Sequence, residues 1–346
     1  MRAAVFRAPG DIRIETVEDP RVEAPTDAVV RITHACICGS DLWHYRGLVD
    51  APASTDRGHR TGHEWMGIVE EVGGEVTTVA PGDAVIAPFA FSCGTCEFCR
   101  AGLQTSCVNG GGWGGHNDGG QAEAVRAPFA DGTLVVLPEA IAGDAMLQKA
   151  ALPLTDVMAT GHHAAVAAGV GPGSVVAVVG DGAVGLCGVL AASRLGAEQI
   201  IAVGHHADRL EIARAFGATD VVLDEDPIPA VRELTKGGAP SVLECVGMQS
   251  AMDAAVGMAR DGGTVGYVGV PAGIDSVPLR MMFGRNISLR GGVAPARAYI
   301  PELLAEVAAG TLDPSPVLDM TVDLDGVPEG YDAMAKRRAV KVMIQL

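Results

Sequence analysis

The sequence predicts an α/β fold in which a doubly wound parallel sheet is joined to a second, β-rich domain. The chain has 346 residues, more than one compact core usually holds, which indicates two domains. Up to about residue 150, glycine or proline interrupts the sequence every few residues, as is typical of short strands and tight turns. From about residue 156, apolar runs alternate with helix-like stretches, which indicates parallel strands with crossover helices.

The predicted elements follow in chain order. The β-rich part contains short strands at residues 28–32, 67–72 and 83–87. Six candidate strands of the parallel sheet lie at residues 175–180, 199–204, 221–223, 241–246, 264–270 and 287–291. Helix-like stretches lie at residues 183–195, 208–216 and 299–309, and the last segment, 339–346, is strand-like. We expect the tail to return to the β-rich domain, which then comprises residues 1–155 and 296–346, with the parallel sheet in 156–295.

The charge of the chain argues against two classes of partner. Its 25 basic and 42 acidic side chains give a net charge of −17, which repels nucleic-acid phosphates and anionic membrane surfaces. No stretch reaches the roughly 18 consecutive apolar residues of a membrane span. The N-terminal residues lack the apolar core of a signal peptide. We therefore expect a cytoplasmic protein without nucleic-acid or membrane partners.

A glycine-rich loop follows the first candidate strand of the parallel sheet. Residues 175–179 lead into Gly180-Asp181-Gly182-Ala183-Val184-Gly185 and then into a helix. The missing side chains let the backbone turn tightly and approach a pyrophosphate, whose charge then lies at the helix N-terminus. Between this strand and this helix the pattern predicts a Rossmann domain, with Gly180, Gly182, Ala183, Val184 and Gly185 binding a nicotinamide dinucleotide.

The end of the second strand indicates which dinucleotide binds. An NAD site usually has an acidic residue there to hold the ribose 2′-hydroxyl, but this chain has Gly204. His205, His206 and Arg209 follow and offer donors or positive charge to a 2′-phosphate, so we predict NADP(H) in preference to NAD(H). Asp208 is the counter-candidate, although an acidic residue at this place is typical of a helix start.

Four cysteines occur within one short segment. Cys93, Cys96, Cys99 and Cys107 offer the number and type of ligands that a closed tetrahedral zinc site takes. Such a site leaves no position for a substrate, so we expect a structural zinc that stabilises the local fold. An iron–sulfur cluster is the alternative, because thiolate ligands alone do not separate the two.

Two further motifs carry a family resemblance. The pattern Gly62-His63-Glu64-x2-Gly67-x5-Gly73-x2-Val76, together with Cys38-Gly39-Ser40-Asp41, resembles the signature of the zinc-dependent medium-chain dehydrogenases, the zinc alcohol dehydrogenases. With the cysteine segment and the Rossmann domain in this order, the resemblance covers essentially the whole chain. It implies that the β-rich domain is GroES-like and catalytic.

The resemblance also implies the site residues. A catalytic zinc is expected on Cys38, His63 and Asp156, with Glu64 beside it as an alternate ligand or a neighbour that contacts the ligands. Asp156 stands where many relatives have cysteine, and aspartate is an acceptable zinc ligand. Asp41 is expected to accept the ring N–H of His63. The remaining implied residues contact the cofactor, namely Thr160 near the nicotinamide, Val268, Gly269 and Val270 at its carboxamide, and Lys341 at the pyrophosphate.

The chemistry that follows is hydride transfer between an alcohol and a nicotinamide. Three protein ligands leave one zinc position for the substrate oxygen, and Ser40 is expected to take the alcohol proton. Many relatives continue the proton path through a histidine five residues after the cysteine. That position is Trp43 here, so the following residue, His44, is the candidate. We also expect Trp43, Phe89 and Trp113 to help line the substrate cleft.

The substrate class stays open at this point. A small alcohol or carbonyl compound is the expected substrate, and a polyol or amino alcohol, as in sorbitol- and threonine-type enzymes, is the alternative. A non-catalytic zinc- and nucleotide-binding protein is a further alternative, which the joint presence of Cys38, His63, Asp156 and Ser40 disfavours. Relatives of this length are homotetramers or homodimers, and either assembly is expected.

Overall fold

The computed structural model describes residues 1–48, 59–114 and 117–346. These residues form two compact units. The first unit comprises Met1–Asp156 and Pro295–Leu346, and the second comprises Val157–Ala294.

The first unit is rich in β-strands, as the frequent glycine and proline breaks predict. Its strands are β1 (Arg2–Ala8), β2 (Asp11–Thr16), β3 (Ala28–Ile37), β4 (His59–Arg60), β5 (Trp65–Val72), β6 (Ala84–Ala87), β7 (Ala90–Phe91), β8 (Gly111–Gly112), β9 (Ala124–Ala127) and β10 (Val135–Val136). Its helices in this part are α1 (Asp41–Tyr45), α2 (Glu97–Arg100), α3 (Ala130–Thr133), α4 (Glu139–Ala142) and α5 (Ala145–Ala151).

The second unit alternates strands and helices. Its strands are β11 (Val175–Val179), β12 (Gln199–Val203), β13 (Asp220–Val222), β14 (Ala239–Glu244), β15 (Ala259–Tyr267) and β16 (Ser288–Gly291). Its helices are α6 (Val157–Ala167), α7 (Ala183–Arg194), α8 (Ala207–Ala215), α9 (Ile228–Leu234), α10 (Gln249–Met258) and α11 (Leu279–Arg285). The chain then returns to the first unit with α12 (Ala296–Ala308), β17 (Met320–Val322), α13 (Val327–Ala335) and β18 (Val342–Gln345).

The strand β3 organises the main sheet of the first unit. The order of this sheet is β10-β6-β5-β3-β18-β17, and β9 also pairs with β3. Both β5 and β18 run antiparallel to β3, with Ala35 opposite Trp65 and Ile37 opposite Val342. Apolar side chains of these strands are buried in one core with Tyr331 of α13. The C-terminal end of β3 therefore lies beside the N-terminal ends of β5 and β18.

The second unit has the predicted doubly wound sheet. All six strands are parallel, in the order β13-β12-β11-β14-β15-β16. This order places β11 at the point where the strand order reverses, the place at which such sheets bind their ligands. The buried valines, isoleucines and alanines of the central strands form its core, because parallel strands are covered on both faces. Within the part of the chain that the structure describes, no helix combines the length and apolarity needed to cross a bilayer.

Candidate functional site

The sheet of the first unit brings two sequence motifs together. Cys38 directly follows β3, and the pair His63-Glu64 directly precedes β5. Because these strands are antiparallel neighbours, the end of one lies beside the beginning of the other. The backbone N–H of Cys36 donates to the carbonyl of Glu64 over 3.0 Å and fixes this register.

Asp156 completes the cluster from another part of the chain. It follows a short 3₁₀ helix, Leu152–Thr155, that is anchored by the N–H of Phe89 donating to the carbonyl of Thr155. Its Oδ2 lies 3.4 Å from the sulfur of Cys38 and 3.3 Å from Nε2 of His63. With Glu64, one ligand atom from each of these four residues lies within 4.8 Å of the others. The structure thus brings together the four predicted zinc-site residues.

The carboxylate of Asp41 contacts both His63 and the backbone of Cys38. Its Oδ1 lies 3.4 Å from Nδ1 of His63, and its Oδ2 accepts the backbone N–H of Cys38 over 3.0 Å. This contact leaves Nε2 of His63 as the nitrogen that faces Asp156, which is the arrangement in which a carboxylate fixes the tautomer of a metal-binding histidine.

Gln121 supports the same cluster and was missed by the sequence analysis. Its amide donates to the carbonyl of Cys36 over 2.9 Å and lies 3.4 Å from Asp41. Its oxygen accepts from the hydroxyls of Thr61 and Tyr331. No local pattern marks a lone glutamine in a loop, so only the tertiary structure reveals this role.

The structure corrects the role expected for Lys341. Its side chain is 1% exposed, and its Nζ donates to Oε1 of Glu64 over 2.6 Å and to the carbonyl of Ile37 over 3.3 Å. The pairing of β18 with β3 places Lys341 at the same sheet edge as Cys38. The ammonium is therefore committed to Glu64 inside the first unit and is not presented to a pyrophosphate.

The electrostatics of the cluster fit a bound divalent cation. Burial, followed by the negative charges of Asp156 and Glu64, raises the pKa of the Cys38 thiol to about 11. Burial lowers the pKa of His63, but the charges of Asp41 and Cys38 outweigh it and raise that pKa well above the ordinary value. A metal ion reverses both tendencies, because it binds the thiolate and the neutral imidazole. Oε2 of Glu64 is buried and has no hydrogen-bond partner among the residues that the structure describes, which fits an atom that contacts a bound cation.

The four sulfurs of the cysteine segment lie close to one another. The sulfur of Cys107 lies 3.4 Å from that of Cys93 and 3.8 Å from that of Cys96, and Cys96 lies 3.5 Å from Cys99. Sulfurs bound to one tetrahedral zinc at about 2.3 Å are about 3.8 Å apart. All four are free thiols rather than disulfides, so the segment has the geometry of a closed zinc site.

The glycine-rich loop lies between β11 and α7. Gly180 has φ +114°, and a Cβ on Gly185 would lie 1.9 Å from the carbonyl oxygen of Gly180. A Cβ on Gly182, the N-cap of α7, would meet nothing within 4 Å. The first and third glycines are thus required by the fold itself, and the second leaves open space at the helix N-terminus, beside Ala183 and Val184.

The residues expected to contact the 2′-position of the cofactor ribose lie at the end of β12. Gly204, His205 and His206 follow this strand, and Arg209 lies in the first turns of α8. The structure adds Asp181, to which the sequence assigned no role. Its carboxylate contacts His205 and His206. Two features of the sequence could have indicated this contact, namely the acidic Asp181 inside the glycine loop and the glycine at position 204.

The other predicted cofactor residues lie in the second unit. Thr160 is buried on α6, and residues 268–270 follow β15, with the N–H groups of Val268 and Gly269 donating to the carbonyl of Glu244. Val270 is exposed. Glu244 is a buried carboxylate that was not predicted; burial raises its pKa against the opposing hydrogen bonds from Val246, Gly247 and Gly269.

The predicted proton-path and cleft residues lie in the first unit. Ser40 is the N-cap of α1 and is half-buried, and its hydroxyl makes no capping hydrogen bond. His44 lies on the same helix, with its ring 6.4 Å from that of His59. Trp43 is half-buried, but Trp113 is 5% exposed and packs edge-on against Trp65. Trp113 is therefore a core residue rather than part of a cleft wall.

Comparison with known proteins agrees with the fold and with a zinc-dependent dehydrogenase family. Residues 24–139 match the alcohol dehydrogenase GroES-like domain family, and residues 183–309 match the zinc-binding dehydrogenase family. An uncharacterized zinc-type alcohol dehydrogenase-like protein of Bacillus subtilis is 33% identical over 383 residues, covering 100% of both chains. Zinc-type alcohol dehydrogenase B of Aspergillus flavus is 33% identical over 356 residues, covering 100% of this chain and 81% of that protein.

A solved structure shows the same architecture over the whole chain. Alcohol dehydrogenase TADH from Thermus sp. ATN1 matches with a TM-score of 0.90 and 34% identity, covering 100% of this chain and 99% of that one. The chain therefore belongs to the zinc-dependent medium-chain dehydrogenase/reductase family, the zinc alcohol dehydrogenases. Membership supports an oxidoreductase that uses zinc and a nicotinamide cofactor.

Proposed function

We propose that this protein transfers a hydride between a small alcohol or carbonyl substrate and NADP(H) or NAD(H), with zinc bound by Cys38, His63 and Asp156. The observation that carries the proposal is the cluster of ligand atoms within 4.8 Å of one another, in a zinc-type alcohol dehydrogenase family. Three protein ligands leave a tetrahedral zinc one open position. Zinc held by these three residues would supply a Lewis acid for the substrate oxygen, and a bound dinucleotide would supply or accept the hydride.

The residues of the chain position these groups and move the proton. Asp41 orients His63 through its Nδ1, and Lys341 compensates the buried charge of Glu64. Ser40, two residues after Cys38 and with its hydroxyl uncommitted to the helix cap, takes the alcohol proton.

His44 is the proposed next acceptor of that proton. It lies one turn along α1 from Ser40, and its buried Nδ1 makes no hydrogen bond with the described part of the chain. Because solvent base is scarce in acidic buffer, His44→Ala should lower kcat far more there than in alkaline buffer. A pH profile of kcat that keeps the wild-type shape in this variant would contradict the role.

The cofactor part of the proposal is a preference for NADP(H) over NAD(H). It is supported by the glycine at position 204 and by the donors of His205, His206 and Arg209 at the end of β12. Comparing kcat/KM for the two cofactors tests it, and a clear advantage for NAD(H) would refute it.

Turnover measured with matched cysteine variants tests the function. Zinc-loaded wild type should oxidise small alcohols or reduce the corresponding carbonyls with one of the two cofactors, and Cys38→Ala should have no turnover while still binding dinucleotide. Cys187→Ala is the control, because Cys187 is also buried but lies on α7, and its sulfur is outside the four-residue cluster. Turnover confined to polyols or amino alcohols would support the alternative substrate class. Full zinc and tight dinucleotide binding without any turnover would support a non-catalytic protein.

The assembly and location are further predictions from the sequence. We expect a homotetramer or homodimer, which light scattering coupled to size-exclusion chromatography distinguishes from a monomer. A cytoplasmic location is expected from the composition and charge of the chain.

A further inference from the structure

The carboxylate of Asp181 reaches from the glycine-rich loop to the end of the neighbouring strand β12. Its Oδ2 accepts the backbone N–H groups of His205 and His206 over 2.7 and 2.8 Å, and Nδ1 of His206 lies 2.9 Å away. The guanidinium of Arg209 lies 4.0 Å from Oδ1. Asp181 is 8% exposed, so these groups surround the carboxylate closely.

Gly204 makes this position possible. A Cβ built on Gly204 would lie 2.6 Å from both Cβ and Oδ2 of Asp181. Any side chain at position 204 would therefore collide with Asp181. The acidic group that NAD-binding sheets usually carry at the end of the second strand is absent from position 204, and a carboxylate from the loop lies there instead.

The contacts of Asp181 keep the carboxylate ionised at neutral pH. Burial alone raises its pKa, but the hydrogen bonds from His206 and from the backbone N–H of His205 outweigh burial, so its pKa lies below the ordinary value. The negative charge is therefore present under the conditions in which a cofactor binds.

The groups that hold Asp181 are the same ones expected to hold a 2′-phosphate. A phosphate carries about −1.5 to −2 charges near neutral pH, so it would compete with Asp181 for His206 and Arg209 and would also be repelled by the carboxylate. A ribose 2′-hydroxyl has no such conflict, because a hydroxyl can donate to a carboxylate.

We propose that Asp181 determines cofactor selectivity, its carboxylate competing with the 2′-phosphate and lowering the preference for NADP(H) below what His205, His206 and Arg209 alone would give. This inference rests on the proposed dinucleotide site. It names a selectivity residue in the loop that normally serves the pyrophosphate, in addition to the residues at the end of β12.

The test measures the dissociation constants of NADP⁺ and NAD⁺ by calorimetry on zinc-loaded protein, without relying on turnover. Asp181→Asn keeps the size of the side chain and removes its charge. The ratio of NADP⁺ to NAD⁺ affinity should rise about tenfold or more, mainly through tighter NADP⁺ binding. Asp181→Ser removes the same charge with a shorter side chain and should shift the affinity ratio in the same direction. The two variants keep the test available if one of them folds poorly.

Asp208→Asn is the matched control. Asp208 is an exposed carboxylate in the first turn of α8, so the variant removes the same charge from the same region without freeing His206 or Arg209. An affinity ratio that stays unchanged or falls in the Asp181 variants would overturn the inference, as would an equal rise in Asp208→Asn. If wild type binds neither dinucleotide, the proposed function itself fails, and the inference fails with it.

Discussion

Replacing Lys341 by methionine removes the cation from a fully buried ion pair and should destabilise the first unit strongly. The side chains of Lys341 and Glu64 are 1% and 0% exposed, and their charged atoms are 2.6 Å apart. Methionine retains most of the length and apolar volume of the lysine stem. The variant therefore tests the charge interaction with little change in packing.

The size of the effect follows from this geometry. Two unit charges 2.6 Å apart attract by about 6 kcal/mol at an effective dielectric constant of about 20. Desolvation of the two ions offsets much of this attraction in the intact pair. Without Lys341, the buried carboxylate of Glu64 is uncompensated and lies beside the carboxylate of Asp156. The free energy of unfolding should therefore fall by about 3–5 kcal/mol.

Urea unfolding followed by tryptophan fluorescence measures this loss of stability in the first unit of the chain. The three tryptophans, Trp43, Trp65 and Trp113, all belong to the first unit. Lys336→Met is the control, because Lys336 forms an exposed pair with Asp332 and its removal should cost about 0–1 kcal/mol.

A double-mutant cycle completes this test. The variant that combines Lys341→Met with Glu64→Gln should lose less stability than the sum of the two single losses, because neither charge is then left buried alone. A loss below about 1 kcal/mol in Lys341→Met, or additive losses in the double variant, would refute the reasoning.

Two further predictions concern other parts of the chain. Asp131 accepts hydrogen bonds from the backbone and hydroxyl groups of Thr77 and Thr78, which outweigh burial and lower its pKa. Their stabilisation should be complete above about pH 4 and lost as the pH falls through the lower folded-state pKa. The stability advantage of wild type over Asp131→Asn, about 1–2 kcal/mol at pH 7, should therefore shrink at pH 3; a constant advantage between these pH values would contradict the assignment. In the glycine loop, Gly182→Ala should keep the wild-type unfolding free energy but weaken dinucleotide binding. Gly185→Ala should destabilise the second unit, because of the two added Cβ atoms only this one meets the backbone. Equal effects of the two substitutions on stability would be inconsistent with this structure.

Elements with a local sequence signal were predicted correctly. The apolar runs and glycine breaks predicted both the parallel sheet and the β-rich unit, because strand and helix periodicities depend on neighbouring residues. The four cysteines could be grouped for the same reason, since Cys93 and Cys107 lie in one short segment. By contrast, Cys38, His63 and Asp156 have no spacing rule, and only the family resemblance joined them before the structure did.

The residues that the sequence analysis misplaced or missed depend on long-range packing. The lysine at position 341 was expected at a phosphate, but the register of β18 against β3 turns it toward Glu64. Trp113 was expected in a cleft, but its aromatic neighbour Trp65 comes from β5, and sequence distance gives no indication of that contact. Asp181 contacts residues more than 20 positions away, because parallel neighbouring strands end at the same edge of the sheet.

Zinc content per chain, measured by elemental analysis of wild type, Cys38→Ala and Cys107→Ser, tests the central claim most directly. The structure predicts about two zinc ions in wild type and about one in Cys38→Ala, which should keep its fold but have no turnover. Cys107→Ser should also lose zinc and should unfold at lower urea concentration, because that site stabilises the local fold. One zinc per chain in an active wild type, unchanged in Cys38→Ala, would contradict a zinc site at Cys38, His63 and Asp156.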